Sequence, residues 1–202
     1  MTVARLAVLL IAAVVALSLP ACGNGNGASE SSSKTSGESS NSEPTSSGAA
    51  LLPRDAIISL STVQEVLPEM TQETATGPNQ TVVGNPTANR AVTYASADGS
   101  QRVVISVDQY KSSEEASSSY REASQMSQEV PGVTSSETVS DLGDGAFIGV
   151  VTQGDETHVG GGALYGDLIV TTTLQGYDGT EENIAKVIEL LGKQGDAAQQ
   201  AL

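Results

Sequence analysis

Cys22 is the only cysteine in the 202 residues, and it constrains the fold more than any other residue. No intrachain disulfide can form, so any domain in this chain is held by its core alone. Residues 51–202 have ordinary globular composition and the length of one domain. A domain of that size buries about 68–70 % of its unfolded surface. The chain has no Trp, one Phe and five Tyr, so aliphatic side chains must fill the core.

The surroundings of Cys22 concern address. Arg5 is followed by an apolar stretch from Leu6 to Leu17 and then by Leu19-Pro20-Ala21-Cys22. The apolar run is about 12 residues, short of the roughly 20 that span a bilayer. A charged start, an apolar centre and a small residue at the cut describe a secretory signal instead. A freely secreted product would expose an unpaired thiol in an oxidising compartment, a liability that acylation removes. Leu19, Ala21 and Gly23 around Cys22 resemble the lipobox of bacterial lipoproteins, the plainer alternative being a generic signal with an incidental cysteine. The resemblance implies a signal peptide over 1–21 and a lipid anchor on Cys22, with diacylglycerol and palmitate as its acyl groups. Two or three chains anchor stably where one binds only marginally, at about 0.8 kcal/mol per buried CH₂.

All 24 acidic residues follow Cys22 while Arg5 precedes it, so loss of the signal makes the net charge of −15 one unit more negative. Such a chain is repelled by phosphate backbones, which argues against nucleic acid as a partner, and by anionic head groups. Residues 22–50, rich in Gly, Ser, Asn and Glu without an aliphatic run, read as a disordered tether, with a reach of roughly 25–30 Å.

Within 51–202 the periodicities predict the order α-β-β-α-β-β-β-β-α. Val63, Val66, Leu67 and Met70 follow helical spacing, with Ser61 and Gln64 as a capping box and Pro68 to shorten the helix. Residues 71–89 read as loop. Ala91–Ala95 and Arg102–Tyr110 flank Asp98-Gly99 as a hairpin. A helix capped by Ser112 runs to Gln128, with Ala116, Tyr120, Ala123 and Ser127 as its inner stripe; such small residues predict a close fit and low stability. Strands follow over Thr134–Val139, Ala146–Thr152, Thr157–Leu164 and Leu168–Leu174, punctuated by Gly-Asp turns. A last helix spans Thr180–Leu191, with Gly192 as its C-cap and a fraying tail from Lys193. The class expected is α+β, an antiparallel sheet with helices packed on one face.

No catalytic or metal constellation stands out. Asp141-Leu142-Gly143-Asp144-Gly145 fails the calcium-loop pattern, because its third and fifth positions are Gly143 and Gly145 and its twelfth is Thr152; it reads as a turn. Gly160-Gly161-Gly162 lacks the Lys-Ser/Thr of a phosphate loop and reads as a bulge or a close approach within a strand. His158, the single histidine, is expected on an exposed hairpin, too isolated for zinc or a triad. Glu114-Glu115 and Glu181-Glu182 open helices, where the dipole accounts for them. Asn79-Gln80-Thr81 is a formal glycosylation sequon. Cofactors: none.

The run from Tyr94 to Ala116 (Tyr-x-Ser, then Val-x-Val-x-Tyr-x-Ser-x-x-x-Ala-like) and the turn Leu142–Phe147, behind a lipobox and a Ser/Gly stalk, resemble actinobacterial-type envelope lipoproteins. The domain is weakly similar to the extracellular sensor domain of mycobacterial Ser/Thr kinases. The resemblance implies a non-enzymatic lipoprotein on the extracytoplasmic face of the cell membrane, its domain binding a small molecule, lipid or cell-wall component. The alternative is a structural or accessory lipoprotein acting through protein–protein contacts in the envelope. A large apolar pocket under the 112–128 helix would favour the first, an exposed apolar patch the second.

Overall fold

The computed structural model describes residues 48–202; the signal peptide, Cys22 and the tether up to residue 47 lie outside the described residues. Its elements are β1 (Ala50–Leu51), a 3₁₀ turn (Arg54–Ala56), α1 (Leu60–Gln64), β2 (Met70–Gly77), β3 (Ala88–Ser96), β4 (Arg102–Gln109), α2 (Ser113–Glu129), β5 (Val133–Val139), β6 (Gly145–Gln153), β7 (Glu156–Tyr165), β8 (Leu168–Gln175) and α3 (Glu181–Ala201). The eight strands form one sheet in the order β1-β3-β4-β8-β7-β6-β5, with β2 also on β3. Every pairing is antiparallel except β1 with β3. The α+β class expected from the pattern is the class observed. Among the described residues no helix is long and apolar enough to cross a membrane.

The chain path explains where the helices lie. After β4 it crosses the sheet as α2 to the far edge, begins β5, and returns by hairpins until β8 pairs with β4. α2 therefore spans one face. α3 follows β8 from mid-sheet and covers the other face together with α1 and the 3₁₀ turn. The expectation of all helices on one face is corrected for α2: a crossover to an edge strand must pass over a face, and the α3 side is already filled.

That filling is aliphatic. Val103, Ile105 and Val107 of β4, Val170 and Leu174 of β8 and Val187, Leu190 and Leu191 of α3 are buried in one cluster. On the α2 side only Tyr110, Ala116, Leu164 and Ile169 form a buried apolar cluster, with Tyr120 against it.

Local expectations change at β2, α1 and α3. β2 occupies part of the predicted 71–89 loop; its side chains are almost all exposed, so it carries no periodicity and is held by ladder hydrogen bonds to β3. α1 starts one residue earlier, with Ser59 accepting from Thr62 N–H, while the Gln64 amide donates to Met70 C=O, so Ser61 and Gln64 form no capping box. α3 runs through Gly192 to Ala201. Its tail does not fray because the fully buried Gln194 side chain accepts from Ile58 N–H at 3.0 Å and donates to Ala56 C=O at 2.7 Å. Ser112 caps α2 as expected, accepting from Glu115 N–H.

Candidate functional site

Side chains alternate across a sheet, so the α2 side can be described as rows of cross-strand neighbours. The first is Arg102–Gln175–His158–Val151, the second Val104–Thr173–Gly160–Gly149, the third Ser106–Thr171–Gly162–Phe147 and the fourth Asp108–Ile169–Leu164–Gly145. α2 covers the fourth row with Ala116 and Tyr120, and Tyr120 packs on Phe147 with ring centroids 5.7 Å apart. Over the second and third rows a groove of about 110 Å³ remains, walled by Ala123 and Ser127 of α2 and by Asn79 and Thr81 of the β2–β3 loop.

Glycines make the floor. Gly149 and Gly160 are direct cross-strand partners, which removes two adjacent side chains at the groove's centre. A Cβ on Gly149 would meet only Ser135 C=O, at 3.7 Å, so the space above it is open. Gly162 serves packing instead: its missing Cβ would lie 3.1 Å from the Phe147 ring. Gly161 points to the opposite face, where a Cβ would fall 2.3 Å from Phe147 C=O and 2.5 Å from Ile148 Cδ1. The three-glycine run forms no bulge, since β6 and β7 stay in register throughout. Close approach bears on all three glycines, since a Cβ on Gly160 would lie 2.9 Å from Thr173 Oγ1 and 3.1 Å from Thr172 C=O.

The loop wall is fastened by a buried polar network. The Asn79 amide donates to both carboxylate oxygens of Asp108, at 3.1 and 3.0 Å, and to Ser106 Oγ at 3.1 Å. Asn79 N–H donates to Asn89 Oδ1 at 3.0 Å, and Thr81 N–H and Oγ1 donate to Asn79 Oδ1. The hydroxyls of Ser106 and Thr171 pair at 2.7 Å. Burial pushes the Asp108 carboxyl up to about 7, against the Asn79 hydrogen bonds that pull it down. The Tyr110 hydroxyl is pushed above its ordinary range by burial and then by Asp108; it donates to Val83 C=O at 2.5 Å. The sequon asparagine is thus 6 % exposed and fully engaged, so no glycan can reach it in this fold. Sequence reading missed Asp108 and Ser106 because, alternating with Val103, Ile105 and Val107, they read as a partly wet face.

His158 is not on an exposed hairpin. Its side chain is 16 % exposed and lines the groove rim, with Nδ1 buried and without a hydrogen-bond partner and Nε2 3.8 Å from the Glu156 carboxylate. Asp141–Gly145 is a turn: Asp141 has φ 68°, and Asp144 accepts from Gly166 N–H at 2.7 Å, tying two hairpins together. Among the described residues no three His, Cys, Asp or Glu side chains converge on a metal position. Both glutamate pairs sit exposed in the first turns of α2 and α3.

No protein-family model matches the chain, and a search of curated proteins gives no match. Two solved structures show a distant likeness. The extracellular domain of PknH from Mycobacterium tuberculosis has a TM-score of 0.46 and 11 % identity over 70 % of this chain and 93 % of its own. A GTP binding regulator, TM1622 from Thermotoga maritima, has a TM-score of 0.37 and 14 % identity over the same shares.

Proposed function

We propose that the protein is a non-enzymatic lipoprotein, anchored through Cys22 on the extracytoplasmic face of the membrane, whose domain binds a small, largely apolar molecule between α2 and the sheet. Gly149, under α2 with open groove above it, carries this reading. Glycine inside a strand costs roughly 0.5–1 kcal/mol relative to alanine and gives up packing as well. A fold held by its core alone keeps Gly149 at a cost that an occupant of the groove explains. The accessory-protein reading has less support, because the large apolar side chains exposed among the described residues are only Leu51 and Leu202.

Two experiments test this. Native mass spectrometry of the full protein recovered from its own host should show a copurifying small molecule that Gly149→Leu removes. Wild-type protein recovered empty, with a protein partner captured instead, would overturn groove binding. Cys22→Ser should release the protein from membranes in cell fractionation, and unchanged retention would refute the anchor.

A further inference from the structure

The groove's polar groups divide into two sets, and the division identifies the chemistry at each end. In the third row and on the loop wall, Ser106, Thr171 and Asn79 hydrogen-bond one another. Their demands are met, so that end presents little for a ligand to bind beyond its shape. α2 and the loop also close together there: at Gly84 an added Cβ would lie 2.4 Å from Ser119 Oγ. In the first row the situation reverses. Arg102, Gln175 and His158 are cross-strand neighbours on the groove side, and Arg102 is exposed. Among the described residues, Arg102 and Gln175 make no side-chain hydrogen bond, and His158 Nδ1 has no partner. A row of polar groups without partners among the described residues, with Arg102 as its one permanent positive charge, therefore stands at the open end of an apolar trough.

We infer that the groove takes a single-chain amphiphile with a carboxylate head: the alkyl chain lies over Gly160 and Gly149, and the head meets Arg102, Gln175 and His158. This rests on the groove being a ligand site, as proposed above. First and third rows are four residues apart along each strand, roughly 14 Å, and the small volume of the trough, about 110 Å³, suits a single chain. A guanidinium with flanking donors matches a carboxylate better than an alcohol, because charge-assisted and bidentate hydrogen bonds are the stronger kind. An ammonium head would face Arg102 as a like charge. Glu156, exposed and 3.8 Å from His158 Nε2, is the carboxylate that opposes this arrangement. The chain's overall negative charge also opposes it, but at long range, where salt screens it beyond about 8 Å.

The test is a titration of the full chain bearing Cys22→Ser, which takes no lipid, with octanoate, octanol and octylammonium, read at the amide resonances of Gly149 and Gly160. Octanoate should bind at least tenfold tighter than either other probe, and Arg102→Gln should cut its preference over octanol about tenfold. Equal binding of the three probes, abolished by Gly149→Leu, would overturn the carboxylate assignment while leaving the groove as the binding site. So would an octanoate preference that survives Arg102→Gln. If none of the probes binds, the assignment and the groove reading fall together.

Discussion

The two faces of the sheet are built from the same strands yet solve different problems. On the α3 side, alternate residues of β4, β6, β7 and β8 are, Gly161 and Thr172 aside, mainly Val, Ile, Leu and Ala, and α3 lays Val187, Leu190 and Leu191 against them. On the α2 side the intervening residues of those strands mix Thr, Ser and Gly with polar, charged and a few apolar side chains, and α2 buries only Ala116, Ser119 and Ala123. One face holds the fold together without a disulfide. The other contributes less stability and retains an open groove, a buried carboxyl and a row of unpartnered polar groups. Apolar contact stabilises in proportion to the area removed from water, about 25 cal/mol per Å², so the division of labour follows directly from side-chain size.

The comparison breaks first at the core. Leu190→Ala should cost about 2–5 kcal/mol in urea unfolding, whereas on the inner stripe of α2 only Tyr120 is larger than alanine or serine, and it is half-buried. Native-state hydrogen exchange should accordingly show α2 opening well before α3. Equal protection of the two helices would mean the faces do not differ in the way their packing says.

The next effect is electrostatic. Asp108 has its carboxyl raised from an ordinary 3.8 to about 7, so between those values the folded state holds a proton that the unfolded state has released. Its contribution is therefore fully present below about pH 4, falls as pH rises, and is lost above about pH 7. The span amounts to at most about 4 kcal/mol. The difference in stability between wild type and Asp108→Asn should follow that slope in denaturant titrations at pH 5 and pH 8. A difference independent of pH would show that the carboxyl is not held protonated.

The finest contrast lies between two glycines twelve residues apart. Gly161→Ala drives a methyl into Phe147 C=O and Ile148 on the α3 side and should destabilise by about 1–3 kcal/mol. Gly149→Ala enters open groove and should be neutral or stabilising by up to about 1 kcal/mol. Thermal melts of the two variants decide it, and equal losses would mean the groove is no real void.

Much of the fold was legible in the chain. The strands from β3 to β8 lie within a few residues of where alternation and Gly-Asp turns place them, because all but β5 have one strongly apolar face, and β5 is marked by its β-branched residues and the turn that follows it. β2 was illegible for the opposite reason: it buries almost nothing, so its pairing leaves no hydrophobic trace. The end of α3 misled because Gly192 is a good C-cap in isolation, while the partners that carry the helix onward, Ala56 and Ile58, lie more than a hundred residues away. The groove was not legible. The small inner stripe of α2 predicts a close fit to the sheet, whereas a groove remains there, because that Gly149 meets Gly160, and that Asn79 meets Asp108, depends on register and on a loop.

The sequence alone determined that the domain would rely on an aliphatic core, with no disulfide to assist, and that its strands would form an antiparallel sheet in an α+β fold. These follow from residue type and local period, which act over a few positions. Tertiary structure decided which face α2 covers, how the rows align, and therefore which polar groups are satisfied by one another and which are left open at the rim. Those depend on contacts between residues far apart in the chain, where the geometry of a crossover and the register of a hairpin, and no local preference, decide what meets what.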